Sequence, residues 1–370
     1  MPETLALRVP HQGMPPLDLA GPALSFFEFW PQKVFYPPMV LYWLWLSLKH
    51  GGFALPTAAN PTFAFGGWIG ESKESVLSLA GAHARAHIAP FVSFVCGGDI
   101  QHAALAAMRQ ARNAGLAFPL VAKPDKGCRG AGVRRVRNEN ELARYVAGFP
   151  HDERIVLQAL VDHEAEAGVF YVRKPGEARG RIFSLTLKYF PYVYGDGRST
   201  IAELIARDRR AGTLKDTYLP RHRGKLDAVL APGEPYRIAF AGSHSRGTIF
   251  RDGNRYVTDA MTRAFDRIAK DIDGFHFGRF DVRFSSIGEL QEGRGFTILE
   301  CNGAGAEATH IWDRKTSLTE AYRTLMKQYA LLWKIGAENV RRGAKPARLI
   351  DLYRAWRGEV ALWRQYPPTE

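Results

Sequence analysis

Two apolar segments carry oxygen-bearing side chains where a core strand prefers aliphatics. Residues 277–284 read Phe-Gly-Arg-Phe-Asp-Val-Arg-Phe and residues 296–303 read Phe-Thr-Ile-Leu-Glu-Cys-Asn-Gly, both of strand length and composition. Asp281, Glu300 and Asn302 would offer three hard ligands, a set suited to Mg2+, which takes few protein oxygens because it keeps water and binds substrate phosphates. Arg279 stands two residues before Asp281, so on a strand it shares the same face and can meet phosphate charge. The competing reading is a solvated sheet face on which these carboxylates pair with Arg279 or Arg283.

A cationic stretch precedes this pair. Residues 118–124 form a short apolar strand ending in Lys123-Pro124, and the loop 125–133 follows with Lys126, Gly127, Arg129, Gly130 and Gly132. Glycines let backbone amides approach an anion closely, so the loop could cradle phosphates, although a surface hairpin tip has the same composition. The glycine-rich turn 66–73 is not a Walker A loop, because Lys73 does not directly follow the second glycine and no Ser or Thr follows the lysine. In the polar loop 242–247, Arg246 is the residue suited to holding a carboxylate with both arms of its fork, with Arg173 and the 67–73 turn as weaker candidates; a solvent-exposed hairpin tip is the alternative.

These residues need elements to position them. A helix over 100–113, capped by Asp99 and ended by Gly115, and a second over 138–148 alternate with strands at 154–161, 168–173 and 181–189, the last carrying Lys188. Thr200 to Glu203 has capping-box spacing and starts a helix to about residue 210; residues 211–235 are basic and irregular, and a strand with a polar loop spans 237–250. A helix over 258–271 leads to the opening strand pair, and helices over 318–340 and 347–365 follow. The last places Leu349, Leu352, Tyr353, Trp356, Val360 and Trp363 on one face among arginines. Residues 26–48 are the most aromatic stretch, but their unbroken run, 39–48, falls short of the ~20 residues a bilayer span needs; it is expected to be a buried first helix or to lie in a membrane interface.

The chain has 370 residues, enough for two or three subdomains with real cores. A net charge of +13 favours an anionic partner, yet the 50 Lys and Arg are dispersed rather than gathered with stacking aromatics, which argues against nucleic acid. Cys96, Cys128 and Cys301 show no paired spacing, so neither a disulfide scaffold nor a zinc site is indicated and a reducing cytoplasm fits. Residues 1–20, with Pro10, Pro15 and Pro16, have no uninterrupted apolar core and do not read as a signal peptide.

Lys-Pro with a glycine loop, a strand-end Glu, the Gly195-Asp196-Gly197 turn running into Thr200-Ile201, Gly278-Arg279 with Asp281, and Leu299-Glu300 with Asn302 occur in the order of the ATP-grasp superfamily, which the chain resembles over roughly residues 99–313. The Lys-Pro and metal-ligand segments are similar to those of D-alanine:D-alanine ligases, and residues 195–205 to the matching turn of cyanophycin synthetases. The resemblance implies a mixed α+β and α/β architecture, the ATP-grasp fold of two α+β subdomains clasping ATP. It would comprise an N-terminal α/β region over 1–98, a lid subdomain over 99–190, a large subdomain with the metal site over 191–340 and an amphipathic helix over 341–370.

The resemblance also implies roles. Lys123 would contact phosphates and the adenine edge, and residues 126–132 would be the mobile phosphate loop, including Lys126, Gly127, Arg129 and Gly130. Gln158 and Leu160 would flank the adenine, and Glu166, or Glu164, would take the ribose hydroxyls. Lys188 and Arg279 would face the phosphates, while Asp281, Glu300 and Asn302 would hold Mg2+, as two ions, with Mn2+ able to substitute. Two departures stand out: the helix 100–113 lacks the lysine the family places before the Lys-Pro strand, leaving His102, Arg109 and Arg112, and Gln158-Ala159 stands where many members have Glu and Lys.

The implied reaction is ATP-dependent amide formation between a small-molecule or peptide carboxylate and an amine through an acyl phosphate, in the cytoplasm or at the inner face of the membrane. No nucleic acid partner is expected, and peripheral membrane contact and a homodimer stay open. The alternatives are a membrane-surface ligase acting on a lipid-linked substrate, an ATP-grasp kinase, and a catalytically silent lipid-associated protein.

Overall fold

Apolar segments separated by glycine turns assemble into two larger antiparallel sheets. The computed structural model describes residues 9–97, 100–127 and 130–369, with the side chains of residues 100–102 outside the description; the cap expected at Asp99, the candidate cations His102 and Arg129, and Cys128 therefore fall outside it. The first sheet joins β1 (Phe91–Cys96), β4 (Glu153–Ala159), β2 (Leu120–Pro124) and β3 (Arg134–Val136) in that spatial order. The second runs β11 (Phe296–Asn302), β10 (Phe277–Phe284), β5 (Ala165–Val172), β6 (Arg181–Tyr189), β9 (Ile249–Asp252). A separate ribbon pairs β7 (Tyr192–Tyr194) with β8 (Pro235–Arg237).

The longer helices are α1 (Pro37–His50), α2 (Lys73–Ser78), α3 (Ile100–Asn113), α4 (Glu139–Ala147), α5 (Ile201–Arg207), α6 (Asp259–Lys270), α7 (Leu318–Arg341) and α8 (Leu349–Trp363). Local chemistry sets their starts: Thr200 and Ser317 close capping boxes with Glu203 and Glu320, while Asn138 and Thr258 accept from the third residues of α4 and α6. α3 and α4 cover one face of the first sheet in a core that includes Leu120, Leu142 and Leu157. α6 covers one face of the second through Met261, Phe265 and Ile268, and at the strand ends of its other face Phe170 and Phe277 join α1 and α7.

Sheet membership departs from the expected division at residues 98 and 190. β1 completes the first sheet, and β5 and β6 sit inside the second, so the sheets part at residues 160–164. β5 is buried at every position, and a strand covered on both faces and paired on both edges belongs at the centre of a sheet. The expected strand with a loop at 237–250 is also not one hairpin: β8 pairs with β7 and β9 with β6. Ile238 and Ala239 are buried in a small cluster with Val193, Ile201 and Tyr218, which draws the chain away from β9. Residues 211–222, expected to be irregular, form short helical turns.

The aromatic helix α1 packs one side on α7, with Trp43 meeting Tyr329 and Trp333, but leaves Val40, Leu41, Leu44, Trp45 and Leu48 exposed. In α8 only Leu352 is buried. Among the described residues no helix is long and apolar enough to cross a membrane.

Candidate active site

The site begins with strand register. Arg279, Asp281 and Arg283 alternate along β10 and share one face. Asp281 lies opposite Glu300 of β11 and Gly168 of β5, Arg279 opposite Asn302, and Glu166 between Arg283 and Lys188. Gly168 is required there, because a Cβ would stand 2.9 Å from Arg279 Cδ and 3.3 Å from Asp281 Oδ1. After Asp281 the β10–β11 ladder slips, since Val282 faces Ile298 and Leu299 is left as an extra residue. Such a bulge re-aims the backbone. The Leu299 carbonyl accepts from Lys123 Nζ at 3.1 Å and from Gln158 Nε2 at 3.3 Å, while Lys123 also donates to Gln158 Oε1 at 2.8 Å. The two sheets thus meet at the bulge.

Charges on this face are closely matched. Lys188 Nζ lies 3.0 Å from Asp281 Oδ1 and 3.1 Å from Glu166 Oε1, and Arg279 grips Asp281 through Nε at 2.8 Å and Nη2 at 3.0 Å. Burial disfavours charge on Asp281, but Arg279 and Lys188 outweigh it and hold the carboxyl at about 2. Burial likewise opposes the Arg279 charge, and Asp281 more than restores it. Lys123 has no carboxylate in ion-pair contact among the described residues, and burial lowers its ammonium to about 8.

Another cation arrives from outside the segment expected to supply it. Asn60 is buried and ties the preceding chain to β10, accepting from the His276 and Phe277 amides and donating to Phe277 and Gly66 carbonyls. Gly67 then packs so tightly on Gly303 that a Cβ would lie 2.7 Å from the Gly303 Cα, and Ser72 caps α2. Lys73 Nζ consequently reaches the Gly127 carbonyl at 2.9 Å and Glu300 Oε1 at 3.4 Å. Of the cations sought on α3, Arg109 is exposed, and Arg112 is exposed and pairs with Glu139. The neighbouring Glu71 accepts from the Gly303 amide at 3.1 Å, and burial, with the like charges of Glu300 and Glu359, pushes it up to about 8.

Between the sheets lies a cavity of about 670 Å³ lined by Lys123, Lys188, Arg279, Asp281, Glu300 and Asn302 among others. This volume is within the range of small-ligand and cofactor sites.

No family model matches the sequence, and no curated protein matches it. Solved structures do align. D-alanine–D-alanine ligase from Bacillus anthracis gives a TM-score of 0.38 at 12% identity over 73% of this chain and 67% of that one. The VanG D-Ala:D-Ser ligase from Enterococcus faecalis gives 0.37 at 15% over 70% and 61%. A bifunctional glutathione synthetase from Pasteurella multocida gives 0.34 at 15% over 69% of this chain and only 36% of its own length.

Gln158, Leu160, Gly127 and Gly130 also line the cavity. Lys126 is exposed, and its carbonyl accepts from Tyr366. Glu166 lines the cavity but is engaged by Lys188 and, at 3.6 Å, by Arg283; Glu164 is held by Tyr192 and Arg237 outside it. Residues 242–245 reach the cavity whereas Arg246 does not, its carbonyl accepting from Arg221 at 3.0 Å. That loop is no exposed tip, since His244 stacks on Phe29 and Trp312 and sits 3.1 Å from Glu28. Arg173 lies outside the cavity and donates to the Phe275 carbonyl. The 67–73 turn, a weaker candidate for substrate contact, is the one that lines it.

For a divalent cation the donors fit in type. Glu300 faces Asp281, and the Asn302 amide approaches Asp281 Oδ2 at 3.4 Å. Among the described residues no group of three or more His, Cys, Asp and Glu is gathered to hold a metal, so a cation here would depend on the two carboxylates, Asn302 and phosphate oxygens of the nucleotide.

Proposed function

We propose that the chain is an ATP-dependent carboxylate–amine ligase that forms an amide through an acyl phosphate. The observation that carries this reading is the convergence, in one cavity, of Lys123 and Gln158 from the first sheet with Lys188, Arg279, Asp281, Glu300 and Asn302 from the second. Phosphoryl transfer needs positioning and charge neutralisation more than an acid or a base. Lys123 and Lys73 supply positive charge on one side of the phosphates and Lys188 and Arg279 on the other. Asp281, Glu300 and Asn302 would hold Mg2+, which supplies charge neutralisation and orientation of the phosphate oxygens when bound. Gln158 and the backbone of residues 159–161 form the edge for the base, and Gly127, Gly130 and Ala131 border the phosphates.

The supporting experiment is a screen of carboxylates for ADP release with hydroxylamine present. A carboxylate that yields both ADP and its hydroxamate supports the reading; ADP formed with a stable phosphorylated product would instead make the protein a kinase.

One observation favours action at a membrane surface. The exposed apolar side of α1 carries Trp45 beneath Lys49 Nζ, 4.4 Å from the ring centroid, on a chain of net charge +13. Indole with a flanking lysine suits an anionic lipid interface. Co-sedimentation with phosphatidylglycerol vesicles, lost in Trp45→Glu, would support this; equal recovery with and without vesicles would remove it.

A further inference from the structure

The strand that carries Lys188 separates two cavities. Along β6, Lys188 lines the cavity already described, while Leu187 and Tyr189 on either side of it line a second one of about 500 Å³. The same division holds in β9, where Phe250 lines the first cavity and Arg251 the second. In the helical turn Thr309–Trp312, Thr309 and Trp312 line the first and His310 the second. Neighbouring residues of a strand point to opposite faces, so the second cavity lies behind a wall of the first.

Four acids and four lysines or arginines line this second cavity, but they are engaged differently. Asp313 accepts from the Asp252 and Lys315 amides at 2.7 and 2.8 Å, Asp252 accepts from the Asn254 amide at 2.8 Å, and Glu320 closes the capping box with Ser317. Asp18 lies between Arg314 Nη2 at 3.1 Å and Lys315 Nζ at 2.8 Å. Arg251 and Arg255 remain, and among the described residues neither is in ion-pair contact with a carboxylate. Arg251 Nη1 donates to the Phe250 carbonyl at 2.9 Å, while its buried Nε has no hydrogen-bond partner among the described residues. Burial lowers the Arg251 guanidinium against the pull of Asp313. Arg255 is exposed and donates to the Tyr256 hydroxyl at 2.6 Å. The charges of both arginines act on the Tyr189 hydroxyl, so both stand near it.

Two guanidiniums without a carboxylate match the charge of one phosphate dianion, and the planar fork of each suits its oxygens. A monocarboxylate would cover only one of the two charges. Thr316, Thr324 and Tyr256 line the same space, and their hydroxyls can donate to further phosphate oxygens. The volume is within the small-ligand range, which leaves room for a small body attached to the phosphate. We propose that this second cavity is a binding site for a phosphate group, free or carried on a small molecule, held by Arg251 and Arg255. The site is separate from the nucleotide cavity and does not rest on the ligase reading.

The test is calorimetric titration of inorganic phosphate, glycerol 3-phosphate, succinate and acetate into the full chain and into Lys123→Met, Arg251→Gln and Arg255→Gln. Phosphate or its ester should bind saturably with a Kd of about 1 mM or tighter, and Lys123→Met should retain that binding. Each arginine substitution should weaken it about tenfold, and acetate and succinate should bind at least about tenfold more weakly than the better phosphate compound. Whichever of phosphate and glycerol 3-phosphate binds more tightly identifies the source, and either result supports the site. Because Arg255 is exposed, its substitution gives a folded variant even where Arg251→Gln does not. No saturable binding at millimolar phosphate or ester, succinate binding as tightly as phosphate, or affinity untouched by the arginine substitutions would overturn the proposal. Binding lost in Lys123→Met would also overturn it, by placing the phosphate in the nucleotide cavity.

Discussion

Lys123 is held by an amide and a carbonyl rather than by a carboxylate, and burial lowers its ammonium to about 8. The charged form is the one that meets phosphate, so free-protein affinity for Mg-ATP should be full below about pH 8 and fall roughly tenfold per unit above it. Lys123→Met should bind about a hundredfold more weakly, with no such slope, as titrations from pH 7 to 9.5 would show. Asp281 is the opposite case, pinned by two cations. Asp281→Asn should abolish turnover and also lower stability by about 3 kcal/mol in urea, because Arg279 and Lys188 lose a buried counter-charge; an unchanged unfolding midpoint would mean that these cations find water or Glu166 instead. The metal-type residues could be read from sequence because period-two spacing puts Arg279 and Asp281 on one face. Lys73 could not, since its approach depends on Asn60 reaching Phe277 and on Gly67 packing against Gly303, partners far along the chain.

At the scale of elements, the segment after α8 clasps the glycine loop. Thr369 Oγ1 donates to the Gly130 carbonyl and accepts from the Gly132 amide at 3.2 Å, and Tyr366 donates to the Lys126 carbonyl while stacking on Phe149. Thr369→Val removes both hydroxyl bonds, worth about 1 kcal/mol each, so exchange of the Gly132 amide should quicken by roughly tenfold while amides of β4 are unaffected. Exchange at Gly132 equal to wild type would detach the clasp from the loop. Helices, caps and most strands were legible because local spacing determines them; the 200–203 capping box forms as its sequence requires. The bulge at Leu299, the place of β5 at the centre of a sheet and the parting of β8 from β9 were not, because each is decided by partners far along the chain. α8 forms as expected, yet of its apolar face only Leu352 is buried, while Trp356 and Trp363 line the cavity, a distinction invisible to periodicity.

For the whole molecule, the two sheets meet at the Leu299 bulge and leave the cavity between them, with residues of α1, the 66–73 turn, α7 and α8 also lining it. A clasp of this kind should tighten on a nucleotide that touches both sheets. Bound Mg-ATP at a hundred times its Kd adds about 2.7 kcal/mol to stability by mass action alone, so thermal unfolding should move upward with nucleotide only when Mg2+ is present. The most direct measurement is a calorimetric titration of a non-hydrolysable ATP analogue with Mg2+ into wild type, Lys123→Met and Glu300→Gln, one substitution from each sheet. One-site binding in wild type, weakened about a hundredfold by either substitution, is the predicted result. Wild-type affinity in both variants, or no binding to the wild-type protein, would contradict an ATP site between the sheets.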